Sequence, residues 1–468
     1  MKLQGTRVHF VGIGGMGISG LARLCMGEGA VISGTDRNRT RATEAFVTQG
    51  VPITIAEYAA HNLPRDAELV VYTKDEEQNP EVREAKRRRI PVKSYPEALP
   101  IALGERAIIG VSGTHGKTTT TGMIASILLQ AKQDPSVVVG SFYGFLGSAG
   151  SNSRLGKGRF AVVEADEYKR AFLNYRPTIA VVTNVEADHL NYYKDLEDIH
   201  AAFTEFVGMV PDSGVLVACA DDSGAKRVAA THNGHTILYG LTKDADVRGT
   251  VTTLKGPVTA FSATYQGKSL GSFSLRVPGE HNVRNALAAI AVAAYIGVPV
   301  AAIRKGLAEF PGAWRRFEYK GEVKGVTVID DYAHHPTELE ATLRAARDRF
   351  GKRRLIAVFQ PHFYGRLRDF FTDFVQALQL ADRVVVPPVY FVAGREADDP
   401  KLRDLYNSER LAEAVTKKGT TAVATPTLDE AVVAAVTGVR KGDVILTIGA
   451  GTVTELGPKI LKALNVKS

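Results

Sequence analysis

Residues 107–118 read Ala107-Ile108-Ile109-Gly110-Val111-Ser112-Gly113-Thr114-His115-Gly116-Lys117-Thr118, and the reading of this run decides the fold. A short apolar stretch ends in a glycine turn, and a lysine and threonines then open a helical segment that runs to about Gln130. Strand, glycine turn, Lys-Thr and helix in that order form a phosphate-binding loop. Amides at the helix N-terminus cradle phosphate oxygens, Lys117 neutralises the terminal phosphates, and the Thr118 hydroxyl can ligate Mg²⁺. Gly113, Thr114, Gly116, Lys117, Thr118 and Thr119 are therefore the nucleotide-contacting candidates. Val111 stands where the strict G-x-x-x-x-G-K-[ST] pattern has its first glycine, which points away from ordinary GTPases and kinases. His115 reads as structural.

Downstream, acidic residues sit where a metal ion needs them. The strand Phe160–Glu164 runs into Glu164-Ala165-Asp166-Glu167, and the strand Ile179–Thr183 into Asn184-Val185-Glu186-Ala187-Asp188-His189. Magnesium takes hard oxygen ligands and keeps several waters, so one or two carboxylates suffice. Glu164, first out of its strand, is the best single ligand. For His189 the residues leave two readings open, an unusual magnesium ligand or a core or capping histidine. Further on, Asn282 and Asn285 lie at i, i+3 before an alanine-rich helix, where they either hydrogen-bond a base edge or cap. Trp314-Arg315-Arg316-Phe317-Glu318 follows, with two arginines able to reach a phosphoryl group or to hold domains together.

Upstream, Val11-Gly12-Ile13-Gly14-Gly15-Met16-Gly17 follows a strand and opens a helix. Gly12, Gly14 and Gly17 satisfy G-x-G-x-x-G, and Asp36 follows the next strand. Any ligand with a diphosphate and a ribose meets this geometry, so NAD, FAD and a UDP-sugar stay unseparated, and a nicotinamide dehydrogenase is one reading. Strands at Arg7–Gly12, Ala30–Asp36, Glu68–Thr73 and Pro91–Tyr95 alternate with helical runs, as in a parallel sheet with crossover helices. The same alternation returns with Thr327–Asp330, Leu355–Phe359, Arg383–Pro387, Thr421–Ala424 and Val444–Ile448. Asp331 and His335 follow the first of these strands, and His362 and Arg366 the second, as a polar substrate pocket would require. The blocks fall at 1–100, 101–312 and 313–468, with short antiparallel strands expected between about Val247 and Leu275.

Composition agrees with a globular α/β chain: 468 residues, 45% hydrophobic, 23% charged. The formal charge of +8 suits small polyphosphate substrates. Lys86-Arg87-Arg88-Arg89, interleaved upstream with Glu81 and Glu84, reads as a solvated helix face rather than a nucleic-acid platform. Ala286 to Ile303 has nearly the length of a membrane span, but Gly297 and Pro299 interrupt it, so a buried helix and a turn are expected. The N-terminus reads as a strand and not a signal peptide. Two cysteines, Cys25 and Cys219, give no bridge framework and read as reduced cytosolic thiols.

Taken in order, G-x-G-G-x-G, GTHGKTTTT, EADE, TNVEADH, HNVRN, RRFE, DDYAHHPTE and FQPH resemble the Mur ligases over nearly the whole chain. The resemblance implies three α/β domains: a Rossmann-like N-terminal domain for a UDP-sugar, a central P-loop ATPase domain, and a Rossmann-like C-terminal domain for the amino acid. It implies a cytoplasmic, ATP- and Mg²⁺-dependent ligase of peptidoglycan synthesis that joins L-alanine to UDP-N-acetylmuramate through an acyl phosphate. A sister activity, attaching a preformed murein tripeptide, is the alternative. No nucleic-acid partner or membrane insertion is implied, and a monomer or weak homodimer is expected. By the same resemblance Gly12, Gly14, Gly15, Gly17 and Asp36 hold UDP. Lys117 meets the ATP phosphates, Thr118 one Mg²⁺, and Glu164 with His189 a second. Asn282 and Asn285 recognise adenine, Arg316 the γ-phosphate and Asp331 the ribose, leaving His335, His362 and Arg366 on the substrate side. Lys117, Glu164, His189 and Arg316 form the catalytic set. The chain departs from the family pattern at Tyr168-Lys169-Arg170, Gly365-Arg366-Leu367, Val71 to Asp75 and Val389 to Arg395, on the acceptor and UDP-sugar sides.

Overall fold

β-Branched and apolar runs form three separate sheets in the computed structural model, which describes residues 2–73, 77–147, 151–190, 192–391 and 399–466. The first is five-stranded and parallel, in the order Ile53–Ile55, Val31–Asp36, Arg7–Val11, Leu69–Tyr72, Val92–Ser94. The strand order reverses beside Arg7–Val11, so the glycine loop that follows this strand lies at a topological switch point. Lys74, Asp75 and residues 392–395, among the departures noted above, lie outside the described residues.

The second sheet has ten strands. Its parallel centre places Ala107–Ser112 between Phe160–Glu164 and Ile179–Val182, extended by Val215–Cys219 and Thr236–Gly240. At one end an antiparallel hairpin, Ser136–Tyr143 with Ser151–Arg154, closes the edge; at the other come Val247–Thr253, Thr259–Tyr265 and Lys268–Leu275. The helix Lys117–Gln130 has the expected span and is buried along most of its length, in keeping with its apolar and threonine-rich sequence. The Ala286 segment is the buried helix Glu280–Tyr295, and a turn at Gly297 and Pro299 leads to a second helix, Val300–Glu309. No helix among the described residues is long and apolar enough to cross a membrane.

The third sheet is ordered Glu318–Val323, Val326–Asp331, Val444–Ile448, Leu355–Phe359, Arg383–Val386, Thr421–Ala424, parallel except for its first strand. Helices cover both faces: Leu339, Leu343, Phe374 and Leu378 pack in one cluster, Ala431, Ala435, Leu456 and Ile460 in another. The chain divides into two compact units. One takes Met1–Thr250, Ser262–Phe273 and Arg284–Phe310; the other takes Val251–Phe261, Ser274–Val283 and Pro311–Ser468. The Lys86–Arg89 run is accounted for locally. Arg87 pairs with Glu84, and Arg88 donates to the carbonyls of Leu63, Pro64 and Arg65. Burial pushes the Cys25 thiol up to about 12 and Cys219 to about 11, so both are inert core thiols.

Candidate active site

The phosphate loop is built by close approach of backbones. Gly113 has φ 136°, and a Cβ there would collide with the Thr183 hydroxyl. Gly116, at φ 83°, caps the helix, and a Cβ on it would lie 2.6 Å from Asn285 Oδ1. Neither position tolerates a side chain. The next strand's end holds the loop: Thr114 N donates to Asn184 O (3.1 Å) and His115 N to Asn184 Oδ1 (2.8 Å). Thr183 Oγ1 donates to His115 O (2.6 Å). Asn184 and Thr183 were within a quoted motif but were not singled out, because their partners are far away in sequence.

The Lys117 ammonium donates to Gly113 O (2.5 Å) and Thr114 O (3.1 Å) and lies 2.8 Å from Glu167 Oε2. Burial lowers its pKa, but Glu167, Asp166 and Glu164 outweigh that and hold it above the usual lysine value. Burial in turn pushes Glu167 up to about 7, with Lys117 opposing the rise. Thr118 Oγ1 donates to Glu164 Oε1 (2.8 Å), and Glu164 Oε2 accepts from Gly140 N (2.6 Å). Tyr143 Oη donates to the Thr118 carbonyl (2.8 Å).

His189 was paired with Glu164 in the expected ligand set. The structure brings His189 together with Asp166 and Glu167, one ligand atom of each lying within 4.8 Å of the others. Its Nε2 is 3.6 Å from Glu167 Oε1, and the Tyr168 ring lies 4.7 Å away, centroid to centroid. The carboxylates of this run were plain in the sequence, but which of them face the histidine depends on a turn that sequence does not show. In that turn Lys169 and Arg170 both sit at φ 54°. Glu164, Asp166, Glu167 and the Thr118 hydroxyl are hard oxygen donors around one largely buried lysine, a set that fits a divalent cation.

In the first sheet Asp36 is buried, and its carboxylate accepts from Gly14 N (2.8 Å) and Asn38 N (3.0 Å). It was expected to hold UDP together with the glycine loop, and its carboxylate here braces that loop. Asn282 and Asn285 share the helix Glu280–Tyr295; the Asn282 amide already donates to Pro278 O (2.7 Å).

The second unit separates the two adjacent arginines. Arg315 is buried, 2.9 Å from Asp330, and donates to Gly449 O (2.5 Å). It is a structural cation. Arg316 lies 3.2 Å from Glu338 and over the Tyr332 ring, and Glu338 and Asp331 together hold its guanidinium above the usual value against the effect of burial. The Asp331 carboxylate accepts from Phe317 N (2.7 Å) and Ala333 N (2.8 Å), and burial pushes it up to about 6 despite Arg316. Glu338 was not singled out from the sequence, although it closes the quoted DDYAHHPTE motif. His335 is buried at the start of the helix Pro336–Phe350, where its Nδ1 accepts from Thr337 N (3.4 Å). Arg366 Nη1 is 3.1 Å from His362 Nδ1, and the His362 ring stacks on Tyr390 with His334 at its edge.

Three family descriptions match in order: "Mur ligase family, catalytic domain" over residues 7–106, "Mur ligase middle domain" over 111–293, and "Mur ligase, glutamate ligase domain" over 315–451. A UDP-N-acetylmuramate–L-alanine ligase of Trichlorobacter lovleyi is 42% identical over 98% of this chain and 99% of its own. Its counterpart in Acidothermus cellulolyticus is 44% identical over 98% and 95%. Among solved structures, the UDP-N-acetylmuramate-alanine ligase MurC of Thermotoga maritima superposes with a TM-score of 0.82 at 28% identity, covering 99% of this chain and 100% of that one. A murein peptide ligase of Psychrobacter arcticus gives 0.69 at 25% identity, covering 99% and 100%. The chain belongs to the Mur ligase family.

Proposed function

We propose that this chain is an ATP-dependent ligase that joins L-alanine to UDP-N-acetylmuramate in the cytoplasm, with its domains at 1–100, 101–312 and 313–468. The observation that carries the reading is full-length similarity above 40% to ligases of that name, together with an intact phosphate loop and its acidic surround. The preformed-tripeptide alternative has less support, since the murein peptide ligase is both less identical and less well superposed. The dehydrogenase reading rested on the first glycine loop alone, and that loop lies in a family match of its own.

In this reading the muramyl carboxylate attacks the γ-phosphorus of ATP, forming an acyl phosphate and releasing ADP. The amine of L-alanine then attacks the acyl carbon, and phosphate leaves from the tetrahedral intermediate. A carboxylate and a triphosphate repel each other, so the residues must offset charge. Lys117 does so at the ATP phosphates and Arg316 at the γ-phosphate. Thr118, Glu164, Asp166, Glu167 and His189 would hold Mg²⁺, which supplies charge neutralisation and orientation of the phosphates. Asn282 and Asn285 take the adenine and Asp331 the ribose. The glycine loop, backed by Asp36, takes the UDP diphosphate, while His335, His362 and Arg366 serve the substrate side.

The test is ADP release with UDP-N-acetylmuramate, ATP, Mg²⁺ and one acceptor at a time. L-Alanine is expected to support turnover and the murein tripeptide not to. Faster release with the tripeptide would replace the assignment. Chelation of the divalent cation should stop ADP release with L-alanine. Gly113→Ala is expected to weaken ATP binding by about tenfold or more, since its methyl group must displace Thr183. Wild-type affinity in a titration would remove the close-approach account.

A further inference from the structure

The hairpin at the edge of the ten-stranded sheet touches both candidate substrate loops. Its inner strand, Ser136–Tyr143, supplies Gly140 N to Glu164 and the Tyr143 hydroxyl to the Thr118 carbonyl, at 2.6 and 2.8 Å. The outer strand, Ser151–Arg154, carries Asn152, whose side chain is fully buried. The Asn152 amide donates to the carbonyl of Met16, the first residue of the helix Met16–Gly27 that follows the glycine loop. Its Oδ1 accepts from Arg23 Nη1 (2.9 Å), about two turns further along that helix. Gly20 leaves room for it, since a Cβ there would stand 3.1 Å from Asn152 Nδ2. Lower on the same helix side, Arg106 reaches both Glu28 (2.9 Å) and Gly156 O (3.0 Å).

A buried asparagine with both ends of its amide committed to another sheet's helix is costly to misplace, because either end loses its partner if the helix shifts. Met16 lies directly after Gly14 and Gly15, so fixing its carbonyl fixes the first turn and the amides that precede it. We infer that Asn152 is a positioning residue for the UDP-sugar: it registers the glycine loop against the hairpin that also braces Glu164 and Thr118. Asn152 reaches the ligand only through the helix. The inference rests on the reading of the first sheet as the UDP-sugar domain.

The test uses the full chain and separate titrations with UDP-N-acetylmuramate and ATP. Wild-type protein that binds ATP but not the UDP-sugar would overturn the functional reading itself. Given wild-type binding of both, Asn152→Ala is expected to raise the UDP-sugar Kd by about tenfold and move the ATP Kd by less than about twofold. Asn152→Asp, which keeps the acceptor for Arg23 and loses the donor to Met16, should fall between. An unchanged UDP-sugar Kd in Asn152→Ala, or an equal loss for both ligands, overturns the inference. Should Asn152→Ala fold poorly, Gly20→Ala presses on the same amide from the helix side. It must show the same selective loss, and wild-type UDP-sugar affinity in that variant overturns the inference equally.

Discussion

Lys117→Ala is expected to lower ADP formation by about a thousandfold or more while leaving the UDP-sugar Kd within about twofold. The side chain is the one lysine on the loop, it sits against Gly113 O and Thr114 O, and Glu167 is its immediate counter-charge. The glycine loop at Gly12 belongs to a different sheet, so its ligand has no reason to respond. Substantial residual turnover would falsify the role. The substitution also leaves Glu167 buried without its cation, which has a sign that can be worked out. Glu167 already stands at about 7, above its ordinary carboxylate value, so it favours the folded state at low pH and loses that contribution as pH rises through its folded pKa. Without Lys117 its pKa climbs further. The variant's loss of stability against wild type should therefore be larger at about pH 8 than at about pH 5, by thermal melting.

The second large effect is a contrast between neighbours. Arg315→Ala removes the cation facing Asp330, whose side chain is wholly buried, and strips the donor from Gly449 O. Thr447 and Thr454 still donate to Asp330 (2.6 and 2.9 Å), but a carboxylate without its counter-ion costs about 3–5 kcal/mol in such a position. A denaturant series should show that loss directly, and a change under about 1 kcal/mol would make the pair dispensable. Arg316→Ala should keep wild-type unfolding and lose turnover by about a thousandfold. If instead Arg316→Ala unfolds and Arg315→Ala turns over normally, the two roles are exchanged.

Strands were legible where a β-branched run is buried on both faces and bounded by turns, as at Ala107–Ser112 or Val444–Ile448. Others were not. Ile53–Ile55 is a three-residue edge, Ser151–Arg154 is polar throughout, and Glu318–Val323 carries three charged residues and a glycine and sits at an antiparallel edge. Ser136–Tyr143 is broken by Gly140, whose amide is needed by Glu164. The phosphate loop was readable because it is contiguous. The split between Arg315 and Arg316 was not, since it depends on Asp330 and the Gly449 loop, more than a hundred residues downstream. Likewise, the grouping of His189 with Asp166 and Glu167 depends on the backbone of Tyr168–Asn174, where the departures from the family pattern fall.

That short segment has a mechanical character. Two successive residues with side chains, Lys169 and Arg170, occupy the left-handed region, and His189 opposite them does too, at φ 55°. Each such residue stores about 1 kcal/mol or more. Arg170 is tied down by Asp198 (2.7 Å) and Glu205 (3.2 Å), and Tyr193 Oη donates to the Glu167 carbonyl (2.5 Å). The two ion pairs are partly open to solvent, with side chains a third to more than half exposed, so dissolved salt weakens them. The acidic turn behaves as a spring under a latch made of surface charge. Ionic strength can thus relax the geometry of Asp166 and Glu167 from outside, through the backbone, even while the buried Glu167 carboxylate itself stays shielded.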